Sequence, residues 1–231
     1  MKLFLNMLAA AAALMLAASC NKDNTVAYGY EGIGTVSGSS IILDNGIQFN
    51  VTSLQTDDGY KACERVYFYC DILKETSTGY FNIRLLRWTK VLRKQAVTYS
   101  SVSDWDEIGD DAVALGQGWI SGEYLNMAVL FSAKTGSETS HYLNLVYDDV
   151  NSGTDTLRFQ LRHNGKGESF PSIAYEDMTI VKAFASFPIR NYIPAELNEI
   201  PIKVTWNWYK TDDGRYIAQT EEQSIKGILT R

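Results

Sequence analysis

The sequence predicts an all-β protein in which a small OB-type barrel precedes an antiparallel β-sandwich. Three observations carry this. Short runs of alternating apolar and polar residues fill the chain, clusters of turn residues separate them, and no long stretch repeats with a helical period. The composition agrees, with 14 Tyr, five Trp and 17 Gly, and with four prolines that all lie beyond residue 170.

The N-terminus is a targeting segment and stands outside the fold. Lys2 is the only charge in the first twenty residues, residues 3–18 are apolar except for Asn6, and Ala17, Ala18 and Ser19 precede Cys20. A positive start, an apolar run and small residues before a cut site describe a signal peptide over residues 1–19. The stretch Leu16-Ala17-Ala18-Ser19-Cys20 resembles the lipobox of bacterial lipoproteins, with its Leu one place early. The Cys20 thiol would carry a diacylglyceryl group, and the amine freed by cleavage a further acyl chain. Two or three chains anchor a protein stably where one does not. The expected partner of this end is therefore the membrane, through lipid on Cys20, with residues 20–27 as a tether.

Charge limits the other partners. Residues 21–95 hold nine Lys/Arg against eight Asp/Glu, a net of +1, and residues 96–231 hold 11 against 19, a net of −8. An acidic exported chain lacks the phosphate-neutralising surface that nucleic-acid affinity needs, so no nucleic acid is expected. The asymmetry favours two structural units.

The first unit spans residues 28–95. "YGYEGIGTVSG" (28–38) is a Gly-rich strand, and "SIILDNGIQFNV" (40–51) is a hairpin. A two-residue Asn45-Gly46 loop would set Leu43 opposite Gln48. A three-residue loop, Asp44-Asn45-Gly46 with Gly46 left-handed, instead pairs Leu43 with Ile47 and Ile41 with Phe49. That register gathers Ile41, Leu43, Ile47, Phe49 and Val51 on one face and is preferred. In the strand 65–73, Val66, Phe68, Cys70 and Ile72 share one face and Tyr67, Tyr69 and Asp71 the other. "GYFNIRLLRW" (79–88) completes five short strands, whose edges a closed barrel would hide.

Residues 96–118 read as an acidic junction with no strand alternation. The sandwich follows over 119–231, with strands expected at 119–132, 140–148, 155–163, 178–187, 201–210 and 215–220 and a last one near 225–230.

The lipobox, the "GIGTV" strand with its "DNG" hairpin, the paired "RVYFYCDIL" and "GYFNIRLLRW", and the later "YLNMAVLF", "HYLNLVYDD" and "DTLRFQLRHNG" together resemble the NigD-like lipoproteins of Bacteroidetes. The resemblance implies an N-terminal OB domain and a C-terminal β-sandwich. The lipidated end, where only Lys22-Asp23 matches the acidic surface-export signal of Bacteroidetes lipoproteins, gives an expected place on the outer membrane, on its periplasmic face or at the cell surface. The resemblance also implies immunity to a bacteriocin, which makes a bacteriocin or an envelope protein the expected protein partner. The family offers no motif of active residues to carry over.

No catalytic constellation appears in the residues themselves, so a non-enzymatic binding protein without cofactor is expected. The alternative is a surface subunit that binds glycan or peptide or scaffolds an envelope complex. His141 and His163 are 22 positions apart with no Cys or His at ligand spacing, and no metal site is expected from them. "DWDEIGDD" (104–111) and "DDVNSGTD" (148–155) collect carboxylates; Asp149-x-Asn151-x-Gly153 is a faint echo of a calcium loop that lacks the closing Glu. Cys63 and Cys70 read first as buried free thiols, with a disulfide or a reactive thiol as alternatives. Trp206 and Trp208 fall on one face with Val204, and alternation makes that a core face. Candidate ligand-binding residues are Tyr28, Tyr30, Tyr67 and Tyr69, since Tyr tolerates half-exposed positions. The basic residues Arg84 and Arg87 join them, in a run with Lys90, Arg93 and Lys94 that also reads as a solvated edge.

Overall fold

Val66, Phe68 and Cys70 alternate with Tyr67, Tyr69 and Asp71, and this period of two lays β4 (Arg65–Ser77) down with one face inward. In the computed structural model, which describes residues 28–194, 197, 199–212 and 215–226, β4 is one stave of a barrel. Residues 1–27, where the signal peptide, the lipid-bearing Cys20 and the tether are expected, lie outside the described residues.

The barrel is closed by its pairings. β1 (Tyr28–Ser37) lies antiparallel between β2 (Ser40–Leu43) and β4, β2 pairs with β3 (Gln48–Leu54), and β4 pairs with β5 (Tyr80–Arg93). A parallel pairing of β3 with β5 completes the ring in the order 1-2-3-5-4, the Greek-key closure that the OB expectation requires. Ile41 faces Phe49, the Leu43 amide donates to the Ile47 carbonyl, and Gly46 sits at φ 86°, so the three-residue loop and its register are as expected. Ile41, Phe49, Tyr60, Val66, Phe68, Cys70, Ile83 and Leu85 fill the interior.

β5 outruns the barrel. Its end, Val91 to Arg93, pairs in parallel with Phe184 to Ser186 of β11 (Met178–Pro188), so one strand belongs to both bodies. β11 continues through β8 (Tyr124–Lys134) to β7 (Ala114–Ser121), which forms one sheet of the sandwich. The facing sheet runs β13 (Arg215–Ile225), β12 (Ile202–Asp212), β10 (Leu157–Asn164), β9 (Tyr142–Tyr147) and β6 (Val97–Thr98). Leu125, Met127, Val129 and Phe131 of β8 meet Leu143 and Leu145 of β9, Leu157, Phe159 and Leu161 of β10, and Val204 of β12.

Three expectations need correction. The segment 96–118 is built into the sandwich: it holds β6, a short helix α1 (Trp105–Ile108) capped by the Asp104 side chain, and the first half of β7. A bulge between Leu115 and Gln117 breaks the period that would have marked β7 as a strand. The run 119–132 is two strands, parted by Gly122 at φ 55°. The sandwich is also not wholly antiparallel, because β10 pairs with β12 and β6 with β9 in parallel. After β10 the chain crosses to the other sheet as β11 and returns as β12, so β10 and β12 run the same way. β13 extends to Ile225, and residues 227–231, where the last strand was expected, lie outside the described residues.

Candidate functional site

A cleft opens where the barrel's outer face meets the outer face of the β7–β8–β11 sheet. It encloses about 450 Å³, within the usual range for ligand sites. Alternation decides its lining. On the barrel side, Glu31 and Ile33 of β1 and Tyr67 of β4 point outward; on the other side stand Gln117 and Trp119 of β7, Ala128 of β8, and Lys182 and Phe184 of β11.

Tyr67 is the hinge of this lining. Its ring stacks on Phe184 with centroids 4.1 Å apart and planes at 11°. Its hydroxyl donates to Glu31 Oε2 at 2.7 Å. Burial first, and then the Glu31 carboxylate, push the Tyr67 pKa up to about 12, which keeps the phenol a donor. The Lys182 ammonium lies 5.2 Å from the Phe184 ring. The result is an aromatic floor between an exposed carboxylate and an exposed ammonium, with the Gln117 amide also exposed.

Behind the cleft the two bodies are locked together. Arg65 is fully buried and forks onto Asp44, with Nη1 to Oδ1 at 2.8 Å and Nη2 to Oδ2 at 2.9 Å. It also donates to Thr35 Oγ1 and, across the boundary, to Ser186 Oγ. Ser121 Oγ donates to the same Asp44 carboxylate, and the Tyr124 ring lies 3.9 Å from the guanidinium carbon. Ile33 and Val91 pack there against Ala128 and Phe184. The cleft is therefore a fixed feature of the molecule.

The expected ligand residues divide. Tyr67 lines the cleft. Tyr69 shares its outward face beside the cleft, with the Arg87 guanidinium 4.9 Å from its ring, and Arg84 lies 3.8 Å from Asp71. Tyr28 is 54% exposed at the start of β1 and takes no part in the cleft. Tyr30 turns inward onto Phe49 at 4.9 Å and Phe68 at 5.9 Å, and burial raises its pKa to about 12; it is chiefly a core residue that lines the cleft from within. The basic run is largely spent locally, since Arg93 bonds Glu64 and Tyr124 and Lys94 bonds Asn144.

Other expectations resolve as structure. Cys63 and Cys70 are free thiols, Cys70 buried as expected and Cys63 only half-buried, and burial pushes Cys70 up to about 12. Asp148 accepts from the Asn151 backbone and amide, and Asp149 accepts from Ser100, so the calcium-like turn uses its carboxylates on its own chain. Trp206 packs against the core with Val204, whereas Trp208 lines a small apolar pocket with Phe170, Tyr175 and Ile180. The histidines do meet: His141 Nδ1 and His163 Nε2 are 2.9 Å apart, a contact that their sequence separation hid. Among the described residues, no three of His, Cys, Asp and Glu gather to hold a metal.

Glu31, Gln117, Trp119, Lys182 and Phe184 escaped the sequence reading. Their signal was the outward half of each alternation, "Q-x-W" on β7 and "K-x-F" on β11, which reads as solvent-facing until the barrel is laid against it.

These features define a class: a two-body, all-β protein with a rigid, aromatic-floored cleft at the junction. The family model described as the NigD-like C-terminal beta sandwich domain matches residues 95–220, more than half of the chain, and the protein belongs to that family. Its start agrees with the observed course of the chain, since β6 and α1 are already part of the sandwich. No curated protein matches the chain. Among solved structures it is similar to a NigD-like immunity protein from Bacteroides caccae at 20% identity and TM-score 0.60, covering 84% of this chain and 92% of that one. It is also similar to a candidate lipoprotein from Bacteroides fragilis, at 19% identity and TM-score 0.60, covering 86% and 97%. A protein of unknown function from Bacteroides vulgatus gives 23% identity and TM-score 0.59, covering 85% and 91%. At these identities the likeness is one of fold.

Proposed function

We propose that this protein is an exported, lipid-anchored, non-enzymatic binding protein of the outer membrane that confers immunity to a secreted toxic polypeptide. The single observation that carries the binding reading is the cleft, a ligand-sized concavity with an aromatic floor and opposed charges that the Arg65–Asp44 lock holds open. The immunity reading draws support from the family and from the similar Bacteroides caccae protein named for immunity. The anchoring reading draws support from the residues around Cys20 and from the candidate lipoprotein of Bacteroides fragilis. Anchorage concentrates the protein beside the membrane, where it captures an incoming toxin or masks the receptor. The test is to delete the gene, challenge the strain with supernatants of neighbouring strains, and complement with wild type or Cys20→Ala. Sensitivity rescued by wild type alone is the expected result; a deletion strain indifferent to a broad panel refutes immunity, and rescue by Cys20→Ala refutes tethering.

A second reading, an accessory subunit that takes glycan, is favoured by Trp119 standing half-buried beside Gln117, Lys182 and Glu31. Quenching of tryptophan fluorescence by a glycan panel, lost in Trp119→Leu, distinguishes it.

A further inference from the structure

Among the described residues the sandwich sheets end at β7, β13 and β6, and two inner strands are open over part of their length: 142–145 of β9, against which α1 packs, and 178–183 of β11, which carries Lys182. Natural sheets protect such edges by charge or by shortness. β6 has two residues, and β13 carries Glu221 and Glu222. β7 has neither protection. Its eight residues, ALGQGWIS, contain no charge and no proline, and beyond the bulge at Leu115/Gln117 the stretch 117–121 is regular. β7 is also the edge that borders the cleft, into which its Gln117 and Trp119 side chains point.

The geometry points to β7 as the docking edge for an extended segment of a partner polypeptide, which pairs with residues 117–121 as an added strand and sends alternate side chains into the cleft. This rests on the binding reading above and gives the partner's chemistry. An extended backbone satisfies the N–H and C=O groups of a strand edge as one continuous row, and alternate side chains then meet a single face. The cleft favours a segment over a second copy of this chain, because about 450 Å³ is room for a few side chains and the barrel hairpin stands over the end of β7, with Asp44 against Gly122. The segment that fits carries an apolar or aromatic side chain over Trp119 and Tyr67, flanked by polar groups that meet Glu31 and Lys182.

The test uses the full chain and a displayed library of random nonapeptides. Peptides enriched on the wild type are resynthesised with single backbone N-methyl groups, and hydrogen exchange of amides 117–121 is followed with and without them. The expected result is new protection of the alternate amides that point away from β8, with affinity falling roughly tenfold or more for N-methylation in one alternating register and not in the other. Gln117→Lys, a charge on an exposed position, should weaken binding similarly without changing the circular dichroism spectrum. No enriched peptide, protection elsewhere, or indifference to N-methylation in both registers would overturn the proposal. So would protection, in the free chain, of those alternate amides of 117–121 that point away from β8, whether it is lost on truncation after Lys226, which assigns the edge to the chain's own end, or on dilution, which assigns it to a second copy. The killing assay separates this from the immunity reading. Full rescue by Gln117→Lys leaves immunity standing and removes the edge, whereas strand-like peptide binding without any toxin sensitivity does the reverse.

Discussion

Removing one member of the Arg65–Asp44 pair leaves the other charged and buried: the side chains are 0% and 5% exposed. Asp44→Ala should therefore cost about 3–5 kcal/mol in urea unfolding, far more than loss of an exposed pair such as Lys61–Asp58, which is worth under about 1 kcal/mol. The histidines make a second prediction at this scale. The Ala112 carbonyl can only accept, so His163 Nδ1 carries the proton and His163 Nε2 accepts from His141 Nδ1; both rings are neutral. Phe131 stacks on His141 and lies tilted against His163, and Asp111 and Glu168 are the charges that face the two rings. Burial, then His141, lowers the His163 pKa from 6.5 to about 4. Between these values the unfolded chain binds the extra proton. The stability this group contributes is present above pH 6.5 and is lost as pH falls towards 4, by on the order of 2–3 kcal/mol. Urea midpoints measured across that window should fall steeply in the wild type and less in His163→Gln.

At the scale of elements, the turns that join strands are also contacts between bodies. Gly122 ends β7 at φ 55°, and a Cβ there would lie 2.9 Å from the Asp44 Cβ and 3.1 Å from its carbonyl oxygen. Gly122→Ala should cost about 1–3 kcal/mol. Gly46, also at positive φ but with open space around it, should cost only the smaller backbone penalty, about 1 kcal/mol. Thermal melts of the two variants would show whether the difference follows the contact. The β2–β3 hairpin was legible in the sequence because its turn and its alternation are local and agree. β7 was not, because its bulge and glycines erase the period, and the acids before it act as caps and turn acceptors, Asp104 to Glu107 and Asp111 to Gly165.

For the whole molecule, a strand shared between barrel and sandwich and a buried polar lock at their boundary make the two bodies one cooperative unit. Urea unfolding followed by tryptophan fluorescence and by circular dichroism should coincide, and Asp44→Ala should separate the two transitions. The barrel and the sandwich could be read from alternation and turns alone. The cleft could not, since Glu31, Tyr67, Trp119 and Lys182 are brought together by two bodies whose contact leaves no spacing in the chain. Tyr67 was found because half-exposed tyrosine is a generic sign of binding, and the same rule failed for Tyr30, which fills the barrel. The central claim is that protection acts through this cleft. The most direct measurement is survival of the deletion strain carrying Lys182→Glu, which reverses an exposed charge on the cleft, beside Lys74→Glu, which reverses one that does not line it. With equal surface amounts of both variants, the account predicts that Lys182→Glu loses protection and Lys74→Glu keeps it. Equal protection by the two would contradict it.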